Sequence, residues 1–292
     1  MSIISGGLTL LHEMKNLLPP SEQKIADYIL SNPEIAVRMT VSELAEKSYT
    51  STAAVTRLCK SLNIDGFQDL KLRVNGDLIQ GGKTQSRDIE PNEPVGKTIE
   101  KVTTLAMEAL RETAELLSNN ELTKAVEAIL ECRSVHFFGV GASAICAMDA
   151  QQKFLRINKP STAFTDIHMG ATIVANAGPE DVVVGISFSG ETVEVVRIME
   201  LAKEKGVKTI SLTKYGLSTI SNIADISLTT SPTKEANFRS GATSSRLAQL
   251  HVMDILFMSV ASRQYNKTIE YLDNTRKAIY EMQESVVKKK KK

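Results

Sequence analysis

Residues 182–192 read Val-Val-Val-Gly-Ile-Ser-Phe-Ser-Gly-Glu-Thr. A β-branched apolar run is broken by hydroxyls and a glycine, and helical periodicity then begins. This predicts a buried strand that ends in a polar loop and opens a helix. The pattern repeats to either side. Apolar runs at 135–140, 161–165, 182–188, 209–213 and 226–229 alternate with helical segments near 142–157, 168–177, 192–205 and 217–223. Such alternation implies a parallel sheet covered by helices on both faces, a three-layer α/β domain. Long helices near 95–118, 240–264 and 267–284 flank it.

The chain before residue 80 is different in kind. It holds helical periodicity and no strand pattern. Pro19-Pro20-Ser21 reads as a helix start with Ser21 as N-cap, and Asn32-Pro33 as its stop. Thr40-Val-Ser-Glu43 matches a capping box. Leu44 and Ala45 continue a buried face, and residues 47–51 turn the chain. Val55, Leu58, Cys59 and Leu62 mark a second short helix at i, i+3, i+4, i+7. Phe67, Leu70, Leu72, Val74 and Leu78 form the apolar set of a further helix. The expected organisation is therefore an all-α domain at 1–79, a Gly/Pro-bounded polar linker at 80–94, an α/β domain with flanking helices at 95–287, and a lysine tail at 288–292.

With 292 residues, 42% of them hydrophobic and 24% charged, the composition is that of a globular protein of about two domains. The net charge is +1, which gives no global signal for nucleic acid. Residues 1–80 carry eight Lys/Arg and nine Asp/Glu. Any DNA surface must come from local placement, for which Arg57, Lys60, Lys71 and Arg73 are available. Cys59, Cys132 and Cys146 are odd in number and lack metal-ligand spacing, so they read as reduced thiols. Met148, Met169, Met199 and Met253 read as core filler. No metal or cofactor is expected. Without a membrane-length apolar run or a signal-peptide pattern, the expectation is a cytoplasmic protein with no membrane partner.

Two short helices joined by a tight turn suit a helix-turn-helix, in which the second helix enters a major groove. Its outer face would carry Ser51, Thr52, Ala53, Thr56, Arg57 and Lys60. Arg57 can fork onto a guanine edge, and Lys60 suits a phosphate. A plain helical cap with a polar surface has the same pattern.

In an open parallel sheet, ligands bind beyond the carboxyl ends of strands, where helix N-termini point. Two loops fall there: Gly139-Val-Gly141-Ala-Ser143 and Ser187-Phe-Ser189-Gly-Glu-Thr192. Ser187, Ser189 and Thr192 offer donors and Gly190 admits close approach, as a dianionic phosphate requires. Any one of these hydroxyls can instead be an N-cap. Gly139-Val-Gly141-Ala-Ser-Ala144, with Asp166 after the next strand, also fits a dinucleotide fingerprint, and so a nicotinamide-sensing regulator. The second loop weighs against it, because a dinucleotide fold does not require those hydroxyls.

Ser21-Glu-Gln-Lys-Ile-Ala-Asp-Tyr-Ile-Leu30, Ser42-Glu-Leu-Ala45, Ser51-Thr-Ala-Ala-Val-Thr-Arg-Leu-Cys-Lys60 and Gly66-Phe-Gln-Asp-Leu-Lys71 together resemble the N-terminal domain of RpiR-type transcriptional regulators. Residues 134–231 resemble a sugar isomerase (SIS) domain, of flavodoxin-like topology, through Gly139-x-Gly141-x-Ser143 and Ser187-x-Ser189-Gly-x-Thr192. The order of reader then sensor is that of the RpiR family, and the resemblance extends to its regulators of amino-sugar phosphates such as N-acetylmuramate 6-phosphate. It implies a phosphosugar effector held by Gly141, Ser143, Ser187, Ser189 and Thr192. Asp166, His168, Glu235 and Arg239 would lie nearer the sugar. It also implies an operator DNA partner and pairing into homodimers or homotetramers. No catalytic residue is expected in a regulator. A phosphosugar isomerase or etherase would need a base, for which Glu235 is the candidate.

Overall fold

The computed structural model describes residues 7–62, 64–81, 90–232 and 242–289. Two compact units are present, the first running to Glu108 and the second beginning at Ala109. The first contains α1 (Gly7–Met14), α2 (Pro20–Ser31), α3 (Pro33–Ala36), α4 (Val41–Lys47), α5 (Thr52–Ser61) and α6 (Gly66–Gly81). After α7 (Val95–Leu116) and α8 (Asn119–Glu131), strands and helices alternate: β1 (Ser134–Gly139), α9 (Ala142–Arg156), β2 (Ser161–Phe164), α10 (Ile167–Val174), β3 (Asp181–Ile186), α11 (Val193–Glu204), β4 (Lys208–Lys214), α12 (Thr219–Ile223) and β5 (Ile226–Thr230). Helices α13 (Ser244–Arg263) and α14 (Tyr265–Lys289) follow.

The helical unit closes around Ile25, Ile29, Leu44, Val55, Leu58 and Leu70, all buried. Each such side chain contributes about 1.5–3 kcal/mol on removal from water. The capping box forms as expected. Thr40 Oγ1 accepts from the Glu43 amide at 3.3 Å, and Glu43 Oε2 accepts from the Thr40 amide at 2.7 Å. The Thr40 amide, together with the Thr40 hydroxyl that donates to Glu43 Oε2 at 2.9 Å, holds the Glu43 carboxyl below the usual carboxylate range. The expected Ser21 cap does not form. Helix α2 begins two residues earlier than such a cap would set it, with Pro20 as its first residue and no side-chain cap at Pro19. Proline at the first helical position lacks one of the amides that a helix start leaves unpaired and is pre-set in φ for that position. Leu72 also departs from expectation at 59% exposed, because the buried stripe of α6 runs through Leu70 and Val74 instead.

The sheet is entirely parallel, in the order β2-β1-β3-β4-β5. This is the three-layer arrangement the alternation predicts, in the flavodoxin-like strand order the SIS resemblance implies. Side chains on β3 alternate between faces. Val182, Val184 and Ile186 join Phe137, Phe154 and Leu256 on one side, under α8, α9 and α13. Val183 joins Phe138, Val195, Ile198 and Met199 on the other, under α10, α11 and α12. Met199 and Met253 fill the core, whereas Met148 and Met169 are exposed and do not. All three cysteines are free and buried. Burial pushes the thiols of Cys59 and Cys146 up to about 11 and about 12 respectively, so both remain protonated at neutral pH.

Strand order reverses between β1 and β3, which lie side by side with Gly139 opposite Ile186. The loops that follow these two strands therefore emerge together, about one strand spacing (~4.8 Å) apart.

Candidate functional sites

In the helical unit, Ser51, Thr52, Ala53, Thr56, Arg57 and Lys60 are all exposed on α5. Ser51 Oγ accepts from the Ala54 amide at 3.2 Å and closes the helix end. Thr56 Oγ1 donates back to the Thr52 carbonyl at 3.2 Å. Arg57 Nε lies 3.7 Å from Glu22 Oε1. Glu22 is buried on α2, and its other oxygen accepts from Ser61 Oγ at 2.8 Å. A carboxylate thus steadies the arginine expected to read a base. Lys71 and Arg73 do not join this face. Lys71 Nζ donates to the Met39 carbonyl at 2.9 Å and sits over the Phe67 ring, and Arg73 pairs with Asp69 at 3.2 Å. The turn before α5 holds Tyr49 at φ +53°, 90% exposed. That left-handed conformation favours glycine.

In the sheet unit, Ser187 Oγ is the centre of a hydroxyl cluster. It accepts from the Gly190 amide at 3.1 Å and shares hydrogen bonds with Thr192 Oγ1 at 2.8 Å and Ser189 Oγ at 3.4 Å. Ser189 Oγ also accepts from the Glu191 amide at 3.2 Å. Thr192 occupies the N-cap position of α11, yet its side chain makes no capping bond. The first amides of α11 have no acceptor within the helix, and their dipoles add partial positive charge there. Gly190 has φ +72°, and a Cβ on it would fall 2.2 Å from Ser218 Oγ. Only glycine fits. Glu191 ties the loop to α12, accepting from the Thr219 amide at 2.8 Å and from Thr219 Oγ1 at 2.6 Å.

The neighbouring loop turns at Gly141, the N-cap of α9, at φ +60° and also without a side-chain cap. Ser143 is buried in the first turn of α9, where its hydroxyl donates to Gln249 Oε1 of α13 at 3.2 Å. By contrast α8, α10 and α12 are capped by Ser118, Asp166 and Ser218. Among the helices that follow β1 to β4, the two that start at the strand-order reversal are those without a side-chain cap, and such ends can receive an anion.

Asp166 and His168 are exposed beyond β2, on the other side of β1. Asp166 Oδ1 accepts from the Met169 amide at 3.0 Å and so caps α10. Glu235 and Arg239 lie outside the described residues, as do most of the expected linker and Lys290–Lys292. Gly141, Ser143, Ser187, Ser189 and Thr192 are thus brought to two adjacent loops, with Asp166 and His168 one strand further along. Sequence reasoning missed Gln249 and Glu22, whose partners are 106 and 35 residues away. No local pattern marks them. Among the described residues no group of His, Cys, Asp and Glu is placed to hold a metal ion, and no helix is long and apolar enough to cross a membrane.

Comparison with known proteins agrees with this division. A helix-turn-helix domain model of the rpiR family matches residues 5–81, and a SIS domain model matches residues 128–259. The "uncharacterized HTH-type transcriptional regulator YbbH" of Bacillus subtilis is 50% identical over 95% of this chain and 98% of its own. The chain belongs to the RpiR family of transcriptional regulators. HexR of Pseudomonas aeruginosa, an HTH-type transcriptional regulator, is 31% identical to this RpiR-family chain, covering 86% of it and 91% of HexR. Among solved structures, the Vibrio vulnificus NanR protein complexed with ManNAc-6P is 25% identical. It covers 94% of this RpiR-family chain and 98% of its own, with a TM-score of 0.60.

Proposed function

We propose that this regulator binds operator DNA through α5 and that a phosphosugar, an amino-sugar 6-phosphate, modulates that binding from the sheet unit. The single observation that carries the sensor half is the pair of helix N-termini without side-chain caps at the β1/β3 reversal, fronted by the Ser187–Ser189–Thr192 cluster. A phosphate oxygen placed there accepts from hydroxyls and helix amides together. Gly141 and Ser143 complete the anion cradle, and the family resemblance assigns Asp166, His168, Glu235 and Arg239 to the sugar. The ManNAc-6P complex of NanR supports an amino-sugar ligand.

The reader half rests on Ser51, Thr52, Ala53, Thr56, Arg57 and Lys60. Its domain is residues 1–79, joined through 80–94 to a sensor at 95–287. The protein works in the cytoplasm as a homodimer or homotetramer, so that paired readers engage a two-fold operator. It is a binder and has no catalytic step. The ligand binds two conformations unequally and so changes operator affinity.

Thermal unfolding against a panel of sugar phosphates, with NADH included, tests this reading. A ligand at about 100 times its Kd adds about 2.7 kcal/mol. A shift with one amino-sugar 6-phosphate is the expected result. A shift with NADH alone contradicts the proposal, and turnover of a phosphosugar contradicts the absence of catalysis.

A further inference from the structure

Tyr49 stands in the turn between α4 and α5, two residues before the Ser51 cap. Its φ of +53° is a conformation that glycine adopts freely and a bulky residue does not. Helix-turn-helix turns often carry a glycine. The tyrosine gains no burial in exchange, since it is 90% exposed. Neither the turn nor the core accounts for this residue, and a contact outside the chain is the remaining reason for it.

The reader also needs more positive charge than α5 carries. Half or more of the hydrogen bonds in a protein–DNA interface go to the sugar-phosphate backbone. With Lys71 and Arg73 turned to other partners, the cations of α5 are Arg57 and Lys60. Tyr49 forms one rim of an open hollow of about 480 Å³, whose lining includes Lys24 and Tyr28 of α2 and Lys47 at the end of α4. Lys24 and Lys47 are exposed, and among the described residues neither is held in an ion pair. The one acid in the lining, Asp27, pairs with Lys15 at 2.5 Å. The hollow thus offers two uncompensated ammonium groups and a phenol, all donors suited to an anionic oxygen. Its place beside α5 says which oxygen. A helix about 10–12 Å across fills a major groove about 12 Å wide. What stands immediately beside the start of α5 therefore meets the backbone of the duplex and not the base edges.

We propose that the hollow beside the α4–α5 turn seats a backbone phosphate of DNA, with Tyr49 donating its phenol proton and Lys24 and Lys47 supplying charge. The inference rests on the reading of α5 as the operator-binding helix given above. The contact carries no sequence information. It anchors the reader on any duplex and sets the register of α5 in the groove.

The test uses the full chain and two fluorescein-labelled duplexes, one from the DNA upstream of its own gene and one scrambled, titrated by anisotropy over a series of salt concentrations. Lys24→Ala/Lys47→Ala is expected to weaken binding to both duplexes by the same factor. It should also reduce the slope of log Kd against log salt by about 2, one for each lysine. Tyr49→Phe is expected to lose about 5-fold on both duplexes. Tyr49→Asn, whose short side chain accepts a positive φ, should lose as much and keep at least the wild-type unfolding midpoint. An unchanged salt slope in the double-lysine variant overturns the anchor and leaves the operator reading standing, as does a Tyr49→Phe protein that binds like the wild type. A loss confined to one duplex makes the hollow a reader of bases and overturns the phosphate assignment. A wild type that binds neither duplex overturns the operator reading and the anchor together. Tyr49→Phe, which leaves the turn as it is, decides even if Tyr49→Asn fails to fold.

Discussion

The N-termini of α5 and α11 begin with the same chemistry and use it differently. Ser51 sits at the cap of α5, and its hydroxyl accepts from the Ala54 amide. Thr192 sits at the cap of α11, and its hydroxyl turns instead to Ser187. The first helix end is closed by its own chain. At the second, hydroxyls bond one another and leave the end open to an outside oxygen. A hydroxyl at a helix start is therefore ambiguous until its hydrogen bond is located. Where the bond is internal the helix start is stabilised, and where it is deferred the helix start is a candidate receptor.

The contrast breaks most severely at Gly190. Gly190→Ala forces a side chain into a left-handed backbone and against Ser218, so the sheet unit is expected to lose about 3 kcal/mol or more, with the ligand response abolished. Differential scanning calorimetry reads the loss. At the other site, Arg57→Ala is expected to cost about 1–3 kcal/mol of operator binding while leaving the ligand-induced thermal shift intact. A gel-shift titration measures the first and a melt the second. The sharpest comparison comes next. Ser51→Ala removes a working cap and should lower stability by about 1 kcal/mol. Thr192→Ala removes no cap, so it should change stability by less than that and weaken ligand binding. Equal stability losses in the two variants would erase the distinction.

The smallest effect concerns pH. Asp181 and Asp225 are partly desolvated, which raises a carboxyl, but ion pairing and hydrogen bonding outweigh it. Asp181 is held by Arg133 at 2.6 and 3.1 Å, and Asp225 by Lys203 at 2.6 Å and the Thr209 amide at 2.9 Å. Both stay below their ordinary range. A depressed folded value means that their stabilisation is complete above about pH 4 and is lost as pH falls through it. An acid melt of the sheet unit should therefore be blunted in Asp225→Asn, which is already without that contribution.

Much of this was legible in the sequence, for identifiable reasons. Five apolar runs bounded by turns announced five strands, and each lies within two residues of its expected bounds, most simply for β1, β3 and β4, whose residues are buried almost without interruption. Thr40 and Glu43 announced their capping box, since both partners lie within one helical turn. The failures are of two kinds. Ser21 and Leu72 were local errors, where proline chemistry and the true helical stripe overruled a simpler pattern. Glu22 beneath Arg57, and Gln249 beneath Ser143, were invisible because packing across tens of residues makes them neighbours. Each loop of a site is local in sequence, and the residues that steady it are not.

The most direct test of the central claim measures operator affinity with and without an amino-sugar 6-phosphate in the wild type and in Ser187→Ala/Ser189→Ala. The account predicts that the ligand changes operator affinity in the wild type by about 5-fold or more. It predicts the same ligand-free affinity in the variant, with no response to ligand. A double variant that still responds as the wild type does would contradict the account, because the effector would then be held elsewhere.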